Sequence, residues 1–205
     1  SRVMRRIRRL GLFLIPLSLV FLTPIAAQEM HPGSTLPELP TWLSDGPAEF
    51  PGQLAARSAV VLDHEAGTLL FEKDADKVIP PASLTKLMTV HLALKAAGEG
   101  RFPLERRVPV PEPAWASNQA PGSSLMFLGP GQQVSGAELL AGLAVSSGND
   151  AAVAVAILVS GSVDAFIAEM NHEARRLGYP NLSFHDPAGL SAENRATARE
   201  LADFA

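Results

Sequence analysis

The sequence predicts an α/β domain, and three observations point there. Two short apolar runs, Ser58–Asp63 and Thr68–Glu72, are joined by a turn and read as an antiparallel hairpin. Several longer segments with helical apolar periodicity and recognisable caps follow it. The 205 residues are 47% hydrophobic and 19% charged, a composition and length that suit one globular domain.

The chain starts differently. Arg2, Arg5, Arg6, Arg8 and Arg9 form a basic head, and Leu10 to Ala27 is an uncharged apolar run ending in small residues. This is the layout of a secretory signal peptide over residues 1–27. The alternative is an uncleaved anchor that ties the chain to a membrane. The run has 18 residues, near the lower limit for a span, and Pro16 and Pro24 interrupt it. Either way the remainder is expected to be exported, to the periplasm or cell envelope. Without residues 1–27, 12 basic residues face 21 acidic ones, a formal charge of −9. That disfavours a nucleic-acid partner, whose phosphates need basic side chains. There is no cysteine, so disulfides and thiolate metal sites are excluded. The histidines at 31, 64, 91, 172 and 185 show no metal spacing. No cofactor is expected. Residues 28–55 carry Pro32, Pro37, Pro40, Pro47 and Pro51 and read as an extended linker. The domain then occupies 56–205.

Within the hairpin, His64-Glu-Ala-Gly67 is the turn, with Gly67 free to take positive φ. Pro81 to Ala97 reads as a helix with Gly98 as its stop. Leu84, Leu87, Met88, Val90, Leu92 and Leu94 run nearly all the way round it, the pattern of a helix buried on every side. Its first turn carries Ser83-Leu84-Thr85-Lys86, a hydroxyl and an amine at i and i+3 on one face. Two readings stand at this point. Ser83 caps the helix and Lys86 snorkels to water. Or Lys86, with a lowered pKa, takes the proton of a nucleophilic Ser83.

Gly100 to Val134 is rich in proline and glycine and reads as loop, with Trp115 as packing. Ser135-Gly-Ala-Glu138 is a capping box opening a helix to about Val145. Ser147-Gly148-Asn149 breaks it, and Asp150 reads as the cap of an Ala/Val-rich helix. The Ser147–Asn149 break has the residues of an ordinary turn, but apolar helices on both sides direct it inward, where its polar groups need partners. Val163, Phe166, Ile167, Met170, Ala174 and Leu177 mark a one-faced helix stopped by Gly178. Thr197 caps a last helix.

Neither short motif is specific alone, but their context is. Pro80-Pro81-Ala82-Ser83-Leu84-Thr85-Lys86 resembles the Pro-Ala-Ser-x-Thr-Lys opening of the penicillin-binding, serine-type D-alanyl-D-alanine carboxypeptidases. Ser147-Gly-Asn149 follows 64 positions after Ser83, a separation like that family's Ser-x-Asn. Ser123–Phe127 and Phe184–Leu190 resemble two further family segments, so the likeness runs from about Ala56 to Ala205. It implies a β-lactamase/transpeptidase-like fold, with an antiparallel sheet packed against a helical cluster. It implies Ser83 as nucleophile, Lys86 as general base, Ser147 as proton relay and Asn149 as a substrate-binding residue. The implied substrates are peptidoglycan stem peptides ending in D-Ala-D-Ala, with β-lactam antibiotics as inhibitors. The family's third motif, Lys-Thr-Gly on a cleft-lining strand, is absent, and no lysine follows Lys95. The expectation is a sequence truncated before the C-terminal strands. A β-lactamase is disfavoured because no Glu-x-x-Leu-Asn follows Ser147. A D,D-endopeptidase, or a non-catalytic exported protein that binds cell-wall peptides, remains an alternative.

Overall fold

The computed structural model describes residues 54–205. The expected leader, and the linker up to residue 53, lie outside the described residues. The hairpin forms where the apolar runs predict it. Strand β1 (Ala59–Asp63) pairs antiparallel with β2 (Thr68–Lys73), Ala59 opposite Lys73 and Asp63 opposite Thr68, with a bulge between Val61 and Leu62. The Asp63 carboxylate accepts the Glu65 and Ala66 N–H groups at 3.0 Å, and Gly67 takes φ 63°. The side chain and the glycine together close the turn.

The first long helix divides into two parts. Ala82 adopts a left-handed φ of 49°, which interrupts the chain before a regular helix can start. A 3-10 turn, Ala82–Thr85, therefore precedes helix α1 (Lys86–Gly98). This corrects the expectation of one helix from Pro81. The prediction of burial on every side also needs correcting. Met88, Leu92, Ala93 and Ala96 are buried, while Leu84 is 54% and Leu94 51% exposed. Periodicity reports which residues avoid water, but only neighbouring elements decide which face they cover. Here the neighbours are the three later helices within 136–177, and Met88, Leu92, Ala93 and Ala96 are the residues buried.

The loop expected from 100 to 134 contains two short 3-10 turns, Glu112–Ala114 and Ala116–Asn118. It also contributes two-residue strands, β3 (Val108–Pro109) and β4 (Gln133–Val134), which pair antiparallel. Trp115 packs on the core as expected. Helix α2 (Gly136–Ser146) opens with the predicted capping box. Glu138 N–H donates to Ser135 Oγ at 3.2 Å, and Ser135 N–H to Glu138 Oε2 at 2.8 Å.

Helix α3 (Asn149–Ser160) is the centre of the fold, packed against α1, α2 and α4. Ala151, Ala152, Ala154, Val155 and Ala156 are fully buried on it. Their small side chains let three helices approach one another closely. Helix α4 (Val163–Leu177) buries Phe166, Met170 and Ala174 on its predicted face and ends at Gly178 with φ 88°. Each large apolar side chain buried this way contributes about 1.5–3 kcal/mol.

One carboxylate is buried between α1 and α4. Glu173, 1% exposed, accepts from Lys95 and His91 at 2.9 Å and from Arg176 at 2.7 and 2.8 Å. Helix α5 (Ala198–Phe204), capped by Thr197 as predicted, lies against β1. No single helix among the described residues is long and apolar enough to cross a membrane.

Candidate active site

Ser83, Lys86, Ser147 and Asn149 come together at one place. Ser83 sits in the 3-10 turn with its side chain exposed and makes no capping bond. Lys86, the first residue of α1, is only 5% exposed. Its Nζ lies 3.4 Å from Ser83 Oγ and donates to Asn149 Oδ1 at 2.8 Å and to the Ala188 carbonyl at 2.7 Å. Snorkelling is thus excluded: the amine points inward and every proton of its charged form faces an oxygen. Burial pushes the Lys86 amine below its ordinary value, and the Asp186 carboxylate draws it partly back.

Ser147 approaches from the other side. It terminates α2 in a left-handed conformation, φ 53°, uncommon for a residue with a Cβ. Its Oγ donates to Ser83 Oγ at 3.1 Å. Asn149 opens α3, with Gly148 as its cap residue, and is 5% exposed. Its backbone N–H donates to the Ser124 carbonyl at 2.8 Å. The two short motifs, weak in isolation, therefore enclose one accessible hydroxyl between an amine and a second hydroxyl. Chemically this is a serine positioned for deprotonation and acyl transfer.

Several residues that shape the site were not singled out as site residues from the sequence. Asp150, expected as a helix cap, is fully buried, and its Oδ1 accepts the Ala151 N–H in the first turn of α3 at 2.9 Å. Its carboxylate accepts Met126 N–H at 2.8 Å and Leu128 N–H at 2.9 Å, holding the 126–128 segment beside the Ser147 turn. The Leu128 donor is buried and the Met126 donor partly so, and both need an acceptor, which decides the role of Asp150.

Asp186 is the second. Its Oδ1 accepts N–H groups from Ala188, Gly189 and Leu190 at 2.7, 2.6 and 3.1 Å. Its Oδ2 accepts from Ser191 N–H at 2.7 Å and Asn194 Nδ2 at 3.1 Å. Burial works against its charge, but these backbone donors outweigh it and hold the carboxyl below its usual range. The Asp-Pro-Ala-Gly spelling is a turn signal that could have marked this residue. Gly189, at φ 92°, packs so closely on the Ser83 turn that a Cβ there would overlap the Ala82 carbonyl. Among the described residues, no three His, Asp or Glu side chains converge as a metal site.

Known proteins share this arrangement of segments. A family model described as D-alanyl-D-alanine carboxypeptidase matches residues 45–205. The D-alanyl-D-alanine carboxypeptidase DacC of Escherichia coli is 42% identical over 150 residues, covering 72% of this chain and 38% of that protein. DacF of Bacillus subtilis, of the same description, is 39% identical over 138 residues, covering 67% of this chain and 34% of that protein. The chain thus spans roughly a third of these curated relatives. The structure of penicillin binding protein 5 from Haemophilus influenzae matches with a TM-score of 0.71 at 37% identity, over 77% of this chain and 46% of that one. The fold is accordingly the β-lactamase/transpeptidase-like α/β fold that the sequence led us to expect. The matched stretch takes in the hairpin, the Ser83 turn and the Ser147–Asn149 turn, and the chain belongs to the D-alanyl-D-alanine carboxypeptidase family of serine peptidases.

Proposed function

We propose that the protein is a serine D-alanyl-D-alanine carboxypeptidase that removes the terminal D-alanine from peptidoglycan stem peptides, and that β-lactams acylate the same serine. The observation that carries this reading is the position of the exposed Ser83 hydroxyl, 3.4 Å from Lys86 Nζ and 3.1 Å from Ser147 Oγ.

In the proposed mechanism the neutral Lys86 amine accepts the Ser83 proton. Ser83 Oγ attacks the carbonyl carbon of the penultimate D-alanine. The Ser83 backbone N–H supplies one donor to the oxyanion. Lys86 then returns the proton through Ser147 to the leaving amine, and the C–N bond breaks. Asn149, whose Oδ1 accepts from Lys86, offers its amide N–H groups to the substrate backbone. Water hydrolyses the seryl ester, releasing the shortened peptide and restoring Ser83. A β-lactam follows the first half of this course and leaves a persistent acyl group.

The reading includes a peptidase domain from about residue 56, preceded by the 28–55 linker and an export leader over 1–27. The basic head and apolar run support export to the periplasm or cell envelope, and retention of the leader would add membrane association.

The test is release of D-alanine from a peptide ending in D-Ala-D-Ala by the full protein, together with covalent labelling by fluorescent penicillin. Ser83→Ala should abolish both. Undiminished labelling of that variant would remove Ser83 from its role. Cleavage of crosslinked peptides without terminal D-alanine release would point to an endopeptidase, and rapid penicillin turnover without it to a β-lactamase.

A further inference from the structure

The mechanism above gives no part to the loop from Asp186 to Asn194, yet this loop grips the nucleophile turn and the start of α1 at four points. Thr89 Oγ1 donates to the Pro187 carbonyl at 2.7 Å. Lys86 Nζ donates to the Ala188 carbonyl at 2.7 Å. Gly189 packs on the Ala82 carbonyl. The buried Asn194 donates to Thr85 Oγ1 at 3.1 Å. One side chain organises the loop: the Asp186 carboxylate accepts five N–H groups, four from the backbone of residues 188–191 and one from Asn194.

We propose that Asp186 is the positioning residue for the Lys86 amine: its carboxylate folds residues 188–191 so that the Ala188 carbonyl meets Nζ. The inference rests on the acyl-transfer reading of the site. The groups facing Lys86 are the Ser83 hydroxyl from the nucleophile turn, the Asn149 amide from α3, and the Ala188 carbonyl and Asp186 carboxylate from the loop. Asp186 is the charged one among them. Asp150, the next residue on α3, spends its carboxylate on the Met126, Leu128 and Ala151 N–H groups. Burial alone would favour the neutral amine; Asp186 opposes it. A serine that needs a neutral base at working pH is therefore governed by the balance between the two.

The sign follows. Removing the Asp186 charge stabilises the neutral amine, so Lys86 should lose its proton at lower pH. Asp186→Asn removes the charge and keeps an acceptor toward Ala188, Gly189 and Leu190. Its amide nitrogen would face the Ser191 and Asn194 donors. Asp186→Ser removes the charge and keeps a hydroxyl able to accept in a turn. The experiment measures, on the full protein, the pH dependence of the acylation rate with penicillin. It also measures the pH titration of the Lys86 13Cε resonance in lysine-labelled protein, assigned with Lys86→Arg. Expected in both variants is a titration midpoint lower by about one pH unit, with the acid limb of acylation moving the same way.

A purely structural role would lower the acylation plateau and leave the midpoint in place. An unmoved or raised midpoint in a folded variant overturns the proposal. So does the failure of both variants to fold, which would make Asp186 a structural residue only. Lack of acylation in the wild type would overturn the acyl-transfer reading instead, and the Lys86 titration would still test Asp186.

Discussion

Replacing Gly189 by alanine tests how closely the 186–194 loop and the Ser83 turn depend on each other. Gly189 has φ 92°, where a residue with a Cβ is strained by about 1–3 kcal/mol. The added Cβ would also overlap the Ala82 carbonyl and lie 3.0 Å from Ser83 N. Both neighbours are backbone, so relief requires moving the turn that carries Ser83. Overpacking of this kind costs about 1–3 kcal/mol more. Gly178 supplies the control. It has φ 88° but open space where a Cβ would go, so Gly178→Ala carries the backbone strain without the collision.

The expectation is a loss of about 1–3 kcal/mol for Gly178→Ala and about 2–6 kcal/mol for Gly189→Ala in urea denaturation. Gly189→Ala should also slow penicillin acylation at least tenfold, because Ser83 must shift, while Gly178→Ala leaves acylation unchanged. Equal destabilisation by the two substitutions, with acylation intact in both, would refute the close apposition of Gly189 and the Ser83 turn.

Three further outcomes follow from the geometry. Lys86→Arg keeps the positive charge but cannot supply a neutral amine near pH 7, so acylation should fall by orders of magnitude while thermal unfolding stays cooperative. Glu173→Gln should cost about 2 kcal/mol at pH 7, since it removes the charge shared by Arg176, His91 and Lys95. The hydrogen bond from Arg176, then those from His91 and Lys95, outweigh burial and hold the Glu173 carboxyl below its usual range. Its contribution is therefore present above the ordinary carboxylate range and lost as pH falls through and below it. Urea titrations of both proteins from pH 7 downward should converge. Asp150→Ala should leave buried N–H groups at Met126 and Leu128 without their acceptor, costing about 2–3 kcal/mol, and hydrogen exchange should speed up at both amides.

Much of this protein can be read along the chain, because its signals are local. The hairpin needs only alternating apolar runs and a glycine at positive φ. The Ser135–Glu138 box and the Thr197 cap satisfy helix-end N–H groups within three residues, so sequence alone determines them. The one-faced periodicity of α4 likewise predicts Phe166, Met170 and Ala174 as core. Ser83, Lys86, Ser147 and Asn149 could be named from two motifs and a family resemblance, and they meet in the structure.

What only the tertiary structure decided is the set of contacts between residues far apart in sequence. The Ala188 carbonyl is 102 residues from Lys86, and a backbone oxygen leaves no mark on residue identity. Asp150 carries the signature of a helix-start residue and accepts the Ala151 N–H, but donors 22 and 24 residues earlier share its carboxylate. The left-handed turn at Ala82 splits the expected helix, because the chain there must meet Gly189 at backbone contact. The exposed face of α1 reads as apolar as the buried one. Sequence states what a side chain prefers, and the packing of distant elements decides which preferences are met.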